Sequence, residues 1–295
     1  MVNLLIVSFI WAASFSLIKT YLVSVPPDIV NAVRLGLTLA VFLPFLSWKK
    51  VHGWKAMELT AIGAIQFGAM SFFYTRSFGT LQAHEAALAT IMTPLYVILL
   101  DDLLEHRIQW LFLGCALLSA LGTAISLGIL DVGLKGLGMA SPKGLLLIQA
   151  SNLCFAAGQV WYRRAMGRGL GLGNAQAFAW CAVGAALVAG VAAIPSLVSR
   201  GLPVLGRIQL GVLFYLGVIA SGMGFFLWNV GARKVNAGVL AVMNDLKIPS
   251  AMLVAVLLFG EKAAWIRLGV GGAIMCLAWW LASRFPRGEK PVGRG

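Results

Sequence analysis

Ten long apolar stretches, separated by short polar breaks, dominate the pattern of hydrophobic and polar positions along the chain. Each stretch has about 20 residues, the length that a helix needs to cross the roughly 30 Å hydrocarbon core of a bilayer. The period-two alternation of a lipid-spanning barrel is not their pattern. The stretches are 3–22, 28–47, 57–75, 83–104, 109–128, 143–162, 174–195, 208–230, 238–259 and 265–283. We therefore predict an all-α integral membrane protein with ten transmembrane helices.

The composition supports a membrane protein over a soluble one. Apolar residues make up 60% of the 295 residues and charged residues 11%, whereas a soluble domain has about 25% charged residues. The formal net charge of +13 would also suit a nucleic-acid-binding protein. However, the Lys and Arg residues lie mostly in the breaks between apolar stretches, as they do where positive charge orients a membrane protein. We therefore predict the lipid bilayer as a partner, and no nucleic acid.

The same Lys and Arg residues predict the orientation of the chain. If the N-terminus is cytoplasmic, thirteen of them lie in the cytoplasmic segments and seven in the outer ones. Because cytoplasmic loops carry the excess of positive charge, we predict a multi-pass protein of the cell membrane with both termini in the cytoplasm. The first stretch has no basic residues before it and extends almost to Lys19. We interpret it as a first helix and not as a cleaved signal peptide.

The two halves of the chain resemble each other. Pro94 and Trp110 recur as Pro249 and Trp265, both at a shift of 155 residues. Each copy would hold five helices, an odd number, so the second copy must lie inverted in the membrane. Many secondary transporters have this layout, with the substrate site between the repeats near the midplane. The predicted parts are a first repeat at 1–130, a linker at 131–142, a second repeat at 143–284 and a basic cytoplasmic tail at 285–295.

Short motifs in both halves resemble those of the EamA-type members of the drug/metabolite transporter superfamily. They are Trp11-Ala12-Ala13-Ser14-Phe15, Arg34-Leu35, Pro94-Leu95-Tyr96 followed by Glu105, and Pro249 followed by Leu258-Phe259-Gly260-Glu261. The resemblance covers nearly the whole chain and implies ten helices in two inverted repeats with cytoplasmic termini. It also implies export or exchange of amino acids, related metabolites or drugs. The charged residues Asp245 and Lys247 depart from the commoner pattern of the family and argue against generic drug efflux.

Charged residues inside the ninth stretch are the first candidates for a substrate site, because a charge inside a membrane helix costs about 2.5–3.5 kcal/mol. Lys247 lies nine residues into the stretch, roughly 13–14 Å deep, and shares a helix face with Asn244 and Ser250. We predict that Lys247, assisted by Asn244, holds an anionic group of the substrate. The alternative is a structural ion pair with a carboxylate on another helix. For Asp245, a proton carrier and a counter-charge for Arg34 are equally open.

Two prolines near the middle of matching stretches predict interrupted helices. Pro249 leaves the carbonyl group of Asp245 without its helical donor, and Pro94 does the same for Thr90. Because broken helices often line transport sites, we predict that both prolines border a central cavity; a packing kink is the alternative. Arg34, roughly 9 Å from the outer face, is either a gate for the substrate or snorkels to the interface, and we favour snorkelling.

Aromatic and amide side chains inside the stretches are less specific candidates. We include Trp11, Tyr74 and Thr90 in the predicted substrate-binding set, the two aromatic residues as walls of the cavity. Their alternative is a position at the membrane interface or facing lipid. Four further polar residues are expected to form hydrogen bonds between helices: Gln66, Asn152, Gln159 and Asn229.

Three functions compete. We favour a secondary transporter, an exporter or exchanger, that moves small carboxylate-bearing metabolites such as amino acids by alternating access. A multidrug exporter of the same fold would have an aromatic pocket with an acidic anchor. A membrane enzyme acting on lipid-linked substrates would need a polar cluster such as residues 101–107, which is also typical of a helix exit. No Gly-x-x-x-x-Gly-Lys-Ser/Thr loop occurs, so protons, a counter-substrate or the gradient of the substrate itself would supply the energy, and the sequence does not decide between them. We expect no enzyme activity, no cofactor and no metal.

Overall fold

A computed structural model describes residues 1–48, 51, 53–81, 86, 89–128, 141–259 and 265–284. The regular secondary structure of these residues consists of helices. Among these residues there is no β-strand, so the prediction of an all-α protein is confirmed for them. Directly continuous pieces are taken together as one helix. The helices are α1 (Val2–Tyr21), α2 (Pro27–Phe42), α3 (Trp54–Ser77), α4 (Thr93–Glu105), α5 (Trp110–Ser126), α6 (Pro142–Gly167), α7 (Asn174–Arg200), α8 (Arg207–Ala232), α9 (Ala237–Phe259) and α10 (Trp265–Arg284).

Six helices of the described chain are long and apolar enough to cross a bilayer: α3, α6, α7, α8, α10 and the segment Pro27–Phe45, in which a 3₁₀ turn extends α2. Large hydrophobic side chains cover the outside of the bundle, among them Leu99, Leu187, Val191, Ile266 and Leu277. A soluble protein seldom exposes so much continuous apolar surface, whereas lipid covers it in a membrane. The chain is therefore a multi-pass membrane protein.

Two of the helices contain a π-helical stretch. It spans Ala64–Ala69 in α3 and Tyr215–Met223 in α8. In a π-helical turn the backbone hydrogen bond spans five residues where an α-helix spans four, which amounts to one inserted residue. The altered pattern leaves carbonyl groups available to outside donors, and the carbonyl group of Ala220 accepts a hydrogen bond from Trp11 Nε1 at 2.8 Å. The sequence pattern did not predict either stretch.

The fourth apolar stretch is interrupted. Thr90 is helical, Ile91 and Met92 form a turn, and α4 begins at Thr93. Pro94 lies in the first turn of α4, where its missing N–H group has no intrahelical partner to lose. The carbonyl group of Thr90 accepts a hydrogen bond from Thr93 Oγ1 at 2.8 Å, so a side chain replaces the backbone donor at this interruption.

Contacts between helix ends define two faces of the bundle. On the face where α1 begins, here named the N-side face, Arg233 at the end of α8 donates to Asn174 Oδ1 at the start of α7. On the opposite face, here named the far face, Gln209 at the start of α8 donates to the Tyr21 carbonyl group at the end of α1 at 3.1 Å. Consecutive helices therefore alternate in direction between the two faces.

Helices from the two halves of the chain pack against each other. Helix α1 lies against α8 and α9, α6 lies against α3 and α4, and α2 lies against α7 and α8. The main hydrophobic cluster accordingly combines residues of both halves, with Phe67, Tyr162, Phe178 and Trp228 among its largest fully buried side chains. The core of the protein thus lies between the halves and not within either one.

Helices α3 and α7 approach each other closely at glycine residues. A Cβ atom added to Gly63 would lie 1.8 Å from the carbonyl oxygen of Cys181, and one added to Gly184 would lie 1.9 Å from the carbonyl oxygen of Thr60. Small residues allow such close approach of backbones, which is common between membrane helices. This seam between α3 and α7 holds α3 in place, and α3 forms one wall of the cavity described below.

Candidate functional site

A cavity lies between α1, α2, α3, α6, α8 and the start of α4, on the side of the far face. Its volume of about 120 Å³ has room for about ten water molecules at 10–15 Å³ each. The residues that line it are Trp11, Ser14, Ile18, Asn31, Arg34, Met70, Ser71, Tyr74, Thr90, Thr93, Ser151, Asn152, Phe155 and Phe225. The cavity thus combines a cation, hydroxyl and amide groups with aromatic walls, as sites for small organic molecules do.

Arg34 brings a positive charge to the cavity from α2. Its Nε and Nη2 atoms both donate to Ser221 Oγ, at 3.3 and 3.0 Å, and Ser221 lies in the π-helical stretch of α8. None of the ion pairs found among the described residues includes Arg34. A cation without a counter-charge is costly inside a membrane protein, so an anionic group in the cavity would be stabilised by Arg34.

Asn31 forms a second polar point one helical turn before Arg34. Its side chain is almost fully buried, and Nδ2 donates to the Ser71 carbonyl group at 3.2 Å and to Thr75 Oγ1 at 3.0 Å. These two bonds fix the amide group, whereas Oδ1 has no donor within the described part of the chain. Because buried acceptors nearly always have a partner, an N–H or O–H group of a ligand would satisfy this oxygen.

Helix α6 forms the wall that faces α3 and the segment before α4. Asn152 Nδ2 and Gln149 Nε2 both donate to the carbonyl group of Ala89, at 2.9 and 3.1 Å. On the other side of the same helix, Ser151 Oγ donates to the carbonyl group of Met70 at 3.0 Å. These bonds join three elements of the cavity wall, so a movement of α6 would change the shape of the cavity.

Aromatic rings close the cavity toward the N-side face. The ring of Trp11 lies 6.0 Å from that of Phe155, 5.6 Å from that of Phe225 and 5.0 Å from that of Trp228, measured between centroids. The hydrogen bond from Trp11 Nε1 to the Ala220 carbonyl group fixes the orientation of the indole ring. The resulting apolar floor is suited to the ring system of an organic substrate.

A buried layer of amide groups lies one helical turn closer to the N-side face than these rings. Gln66 and Asn229 donate to each other, at 2.8 and 3.3 Å. Trp228 Nε1 donates to Gln159 Oε1 at 2.9 Å, and Asn244 Nδ2 approaches the same oxygen at 3.4 Å. The interhelical hydrogen bonds predicted for these amides are therefore confirmed, and together they separate the cavity from the N-side face.

The sequence profile of the EamA-like transporter family matches the chain twice, over residues 1–128 and 142–284. The chain belongs to this family. The family resemblance that the short motifs indicate is thus confirmed.

Several relatives of this EamA protein have names that mention a substrate. A "probable biotin transporter" of Pseudomonas aeruginosa is 38% identical over 284 residues, which covers 94% of this chain and 96% of the relative. Proteins named "biotin transporter" from Salmonella typhimurium and Escherichia coli are 35% and 34% identical, covering 95% of this chain and 92% of each relative. These names and the family indicate a transporter of a small metabolite and not an enzyme. They do not support the predicted amino-acid substrates.

A crystal structure with 19% sequence identity shares the fold, with a TM-score of 0.75 and coverage of 98% of both chains. At this identity the likeness speaks for the fold alone.

The EamA fold brings four of the residues predicted to bind substrate into one cavity: Trp11, Arg34, Tyr74 and Thr90. Arg34 lines the cavity and does not snorkel to the interface, because Ser221 on α8 holds its guanidinium group. Asn244 belongs to the amide layer, where its Nδ2 also donates to the Leu240 carbonyl group at 2.9 Å. The side chain of Lys247 lies outside the described residues.

Asp245 is buried in α9, and Ser119 of α5 donates to its Oδ2 at 3.0 Å. Since the guanidinium group of Arg34 bonds to Ser221 and takes part in no ion pair of the described residues, Asp245 is not its counter-charge in this structure. The proton-carrier role of Asp245 stays a prediction.

The two prolines have different surroundings. Pro94 follows the turn at Ile91 and Met92, next to residues that line the cavity, whereas α9 continues through Pro249.

Asn31 is a cavity residue that the sequence pattern did not single out. It precedes Arg34 by three residues and therefore shares its helix face, which is a signal that the sequence contains.

The polar residues at the end of α4 bond to neighbouring parts of this EamA protein. Asp101 pairs with Arg164 at 3.2 Å, and Asp102 Oδ2 accepts a hydrogen bond from the backbone N–H group of Gln109 at 3.0 Å. His106 ends the helix with a left-handed φ of 52°. Within the described residues, no group of three or more His, Cys, Asp and Glu side chains is arranged to hold a metal ion. These contacts are typical of a helix exit.

Proposed function

We propose that this EamA protein is a secondary transporter that moves biotin, or a closely related organic acid, through the cavity at Arg34. The guanidinium group of Arg34 carries the proposal, because it borders the cavity with a serine hydroxyl group and no described carboxylate as its partner. The names of relatives that match more than nine-tenths of the chain give the substrate its identity.

The lining of the cavity complements the chemistry of biotin. Biotin has a carboxylate group on a flexible chain, an apolar bicyclic body and a cyclic urea with two N–H donors. In this proposal the carboxylate replaces the hydroxyl group of Ser221 as the partner of Arg34 in a two-pronged pair. The rings of Trp11 and Phe225 pack against the bicyclic body, and Asn31 Oδ1 accepts a hydrogen bond from a urea N–H group.

The charge of the cavity separates this proposal from its competitors. A multidrug exporter would hold cationic drugs with an acidic anchor, whereas the described lining contains a guanidinium group and no carboxylate. An amino acid has a carboxylate to which Arg34 could donate, but its ammonium group would lack a carboxylate partner in the same lining. An organic acid without a positive charge therefore fits the described residues better than either class.

We further propose that ten helices form two inverted five-helix repeats. The parts are repeats at 1–130 and 143–284, a linker at 131–142 and a cytoplasmic tail at 285–295. In support of this, the family profile matches two segments, and the third helix of each half has a π-helical stretch. In addition, an arginine at the end of that helix bonds to the start of the second helix in both halves: Arg76 to Asp28, and Arg233 to Asn174.

In this proposal transport proceeds by alternating access, with both termini in the cytoplasm, as the excess of Lys and Arg on that side indicates. The cavity then faces the outside of the cell. Lys247, assisted by Asn244, is proposed as a second holding point for the anionic group. Asp245 is proposed as the carrier of a coupling proton, with exchange against a counter-substrate as the other source of energy.

Transport of radiolabelled biotin into proteoliposomes tests the substrate. We expect saturable transport, in both directions across the vesicle membrane, that unlabelled biotin inhibits and that biotinamide, which lacks the negative charge, inhibits much less. An amino-acid panel should not compete. Absence of biotin transport by protein that is monodisperse and correctly inserted would refute the substrate assignment.

Substitution of Arg34 tests the site. A hydrogen-bonded charge contributes about 1.5–3 kcal/mol, so Arg34→Ala should raise KM for biotin by about 10- to 150-fold. Arg34→Lys keeps the charge but not the two-pronged geometry and should lie in between. Arg207→Ala is the matched control, because it removes the same charge from an exposed position at the start of α8. Equal KM values for the Arg34→Ala and Arg207→Ala variants would contradict the proposed anchor.

A further inference from the structure

Ion pairs connect the two halves of the protein at the N-side face. Arg164, near the end of α6 in the second half, pairs with Asp101 at 3.2 Å and with Glu105 at 2.9 Å, both at the end of α4 in the first half. Arg168, just after α6, pairs with Glu58 near the start of α3. The end of α6 is thus joined to two helices of the other half by charged groups.

Hydrogen bonds with one charged partner reinforce the same junction. Trp161 Nε1 on α6 donates to Glu58 Oε1 at 2.8 Å, and Lys55 Nζ at the start of α3 donates to the carbonyl group of Leu170 at 3.3 Å. Trp161 lies less than one helical turn before Arg164. The last turns of α6 therefore bond to α3 on one side and to α4 on the other.

The far face has no equivalent set of charged contacts within the described chain. The ion pair that lies there, Arg76 with Asp28, joins α2 to α3 and so stays within the first half. The two halves meet at this face through exposed hydrogen bonds from Gln209 Nε2 to the carbonyl group of Tyr21 and to Ser24 Oγ, both at 3.1 Å. Ser196 Oγ at the end of α7 also donates to Asp28 Oδ2 at 3.4 Å, which is a hydrogen bond to a charged group but not an ion pair. The described ion pairs between the halves are therefore confined to the face opposite the cavity.

We propose that Glu58, Asp101, Glu105, Arg164 and Arg168 form a latch that keeps the N-side face closed while the cavity faces the far face. The inference rests on the alternating-access function proposed above. For the cavity to open at the N-side face, the end of α6 must move away from α3 and α4, and this movement breaks all three ion pairs. The same helix carries Ser151, Asn152 and Phe155 in the wall of the cavity, so it links the latch to the substrate site.

The exposure of the latch suits a contact that has to open. The side chains of Arg164 and Arg168 are 31% and 55% exposed, so water replaces part of what their guanidinium groups lose when the pairs separate. Their partners Asp101 and Glu58 are only 2% and 12% exposed, so each pair lies between the exposed and the buried case. Together the three pairs bias the resting state. Among the described residues, the contacts between the halves at the far face include no ion pair and give no comparable bias. The protein therefore rests with its cavity accessible from the far face.

Sided labelling of a reporter cysteine tests the latch without any substrate. The four native cysteines are replaced, and Met70→Cys is introduced, because the side chain of Met70 lines the cavity and makes no hydrogen bond. A membrane-impermeant maleimide is added to vesicles of each orientation. We expect the reporter to react mainly from the far face, and Arg168→Gln to increase its rate of reaction from the N-side face by about two- to fivefold.

Matched variants separate the latch from general loosening of the protein. Arg168→Lys keeps the charge and should react at the unmodified rate, whereas Glu58→Gln keeps an oxygen acceptor for Trp161 and should give the same increase as Arg168→Gln. Arg76→Gln, which breaks the ion pair within one half, should leave the N-side rate unchanged. An unchanged N-side rate in both Arg168→Gln and Glu58→Gln, or an equal increase in Arg76→Gln, would overturn the proposal. Because no transport is measured, this outcome is distinct from a failure of the biotin assignment.

Discussion

Replacement of Gly184 by alanine should destabilise the seam between α3 and α7. The new Cβ atom would lie 1.9 Å from the carbonyl oxygen of Thr60 and 2.8 Å from the backbone nitrogen of Ala64. Contacts of a Cβ atom below 3.0 Å essentially never occur, so the backbones must separate by about 1.1 Å at this point. Both obstructing atoms belong to the backbone of α3 and cannot rotate away as a side chain would.

The size of the effect follows from known costs of overpacking. Extra methyl groups in a tightly packed interior cost about 1–3 kcal/mol, which corresponds to a decrease in Tm of roughly 2–5 °C for a chain of this length. Gly190→Ala is the matched control on the same helix, because a Cβ atom there has no neighbour within 4 Å. Because alanine has a higher helix propensity than glycine, this variant should have an unchanged or slightly raised thermal stability.

The second contact of the seam allows a stricter test. Gly63 meets the backbone of Cys181 in the same way, at 1.8 Å, and one separation of the helices relieves both clashes. The Gly63→Ala, Gly184→Ala double variant should therefore lose less stability than the two single variants together, as expected for neighbouring sites. Heating in detergent followed by size-exclusion chromatography measures the remaining monodisperse protein. Equal midpoints for Gly184→Ala and Gly190→Ala, or strictly additive losses, would refute this reasoning.

Two further predictions concern the floor of the cavity and the layer below it. Gln66→Leu or Asn229→Leu alone should lower the midpoint of thermal inactivation, because each leaves a buried amide unpaired at a cost of about 1–3 kcal/mol. The double variant should recover much of this loss of stability. A double variant whose loss equals the sum of the two single losses would contradict the pairing. Trp11→Phe keeps an aromatic floor but loses the donor to the Ala220 carbonyl group. If biotin is the substrate, as proposed above, this variant should raise KM for biotin less than Trp11→Ala does. Equal KM values for the two variants would exclude a role of the ring.

The positions of the helices were predictable because each apolar stretch has to satisfy its own backbone in lipid. The seventh stretch is an example, since its predicted start at residue 174 is the first residue of α7. The interruption before Thr93 was not predictable to the residue. Pro94 indicates that an irregularity is near, but neighbouring side chains decide whether a proline starts a helix or lies within one, as Pro249 does.

The candidate site was predictable in its residue types and less so in its location. Arg34 and Tyr74 meet in one cavity because α2 and α3 pack beside each other, and the polar residues of α8 reach them only through a fold that no local pattern encodes. Asn244 has the properties of a ligand group when the sequence alone is considered. In the structure the side chain of Asn244 donates a hydrogen bond to Gln159 Oε1 on another helix. The local sequence cannot indicate a partner that lies 85 residues away.

The π-helical stretch of α3 separates two tasks of one helix. Gly63, in the tight seam with α7, immediately precedes Ala64–Ala69, and Met70, in the cavity wall, immediately follows it. If these six residues adopted regular α-helix without any change in their number, everything beyond them would turn by about 100° around the helix axis. The seam would keep its packing while Met70, Ser71 and Tyr74 presented different faces to the substrate. A change of hydrogen-bond pattern confined to this stretch would therefore alter the cavity wall while the interior packing between α3 and α7 stays as it is.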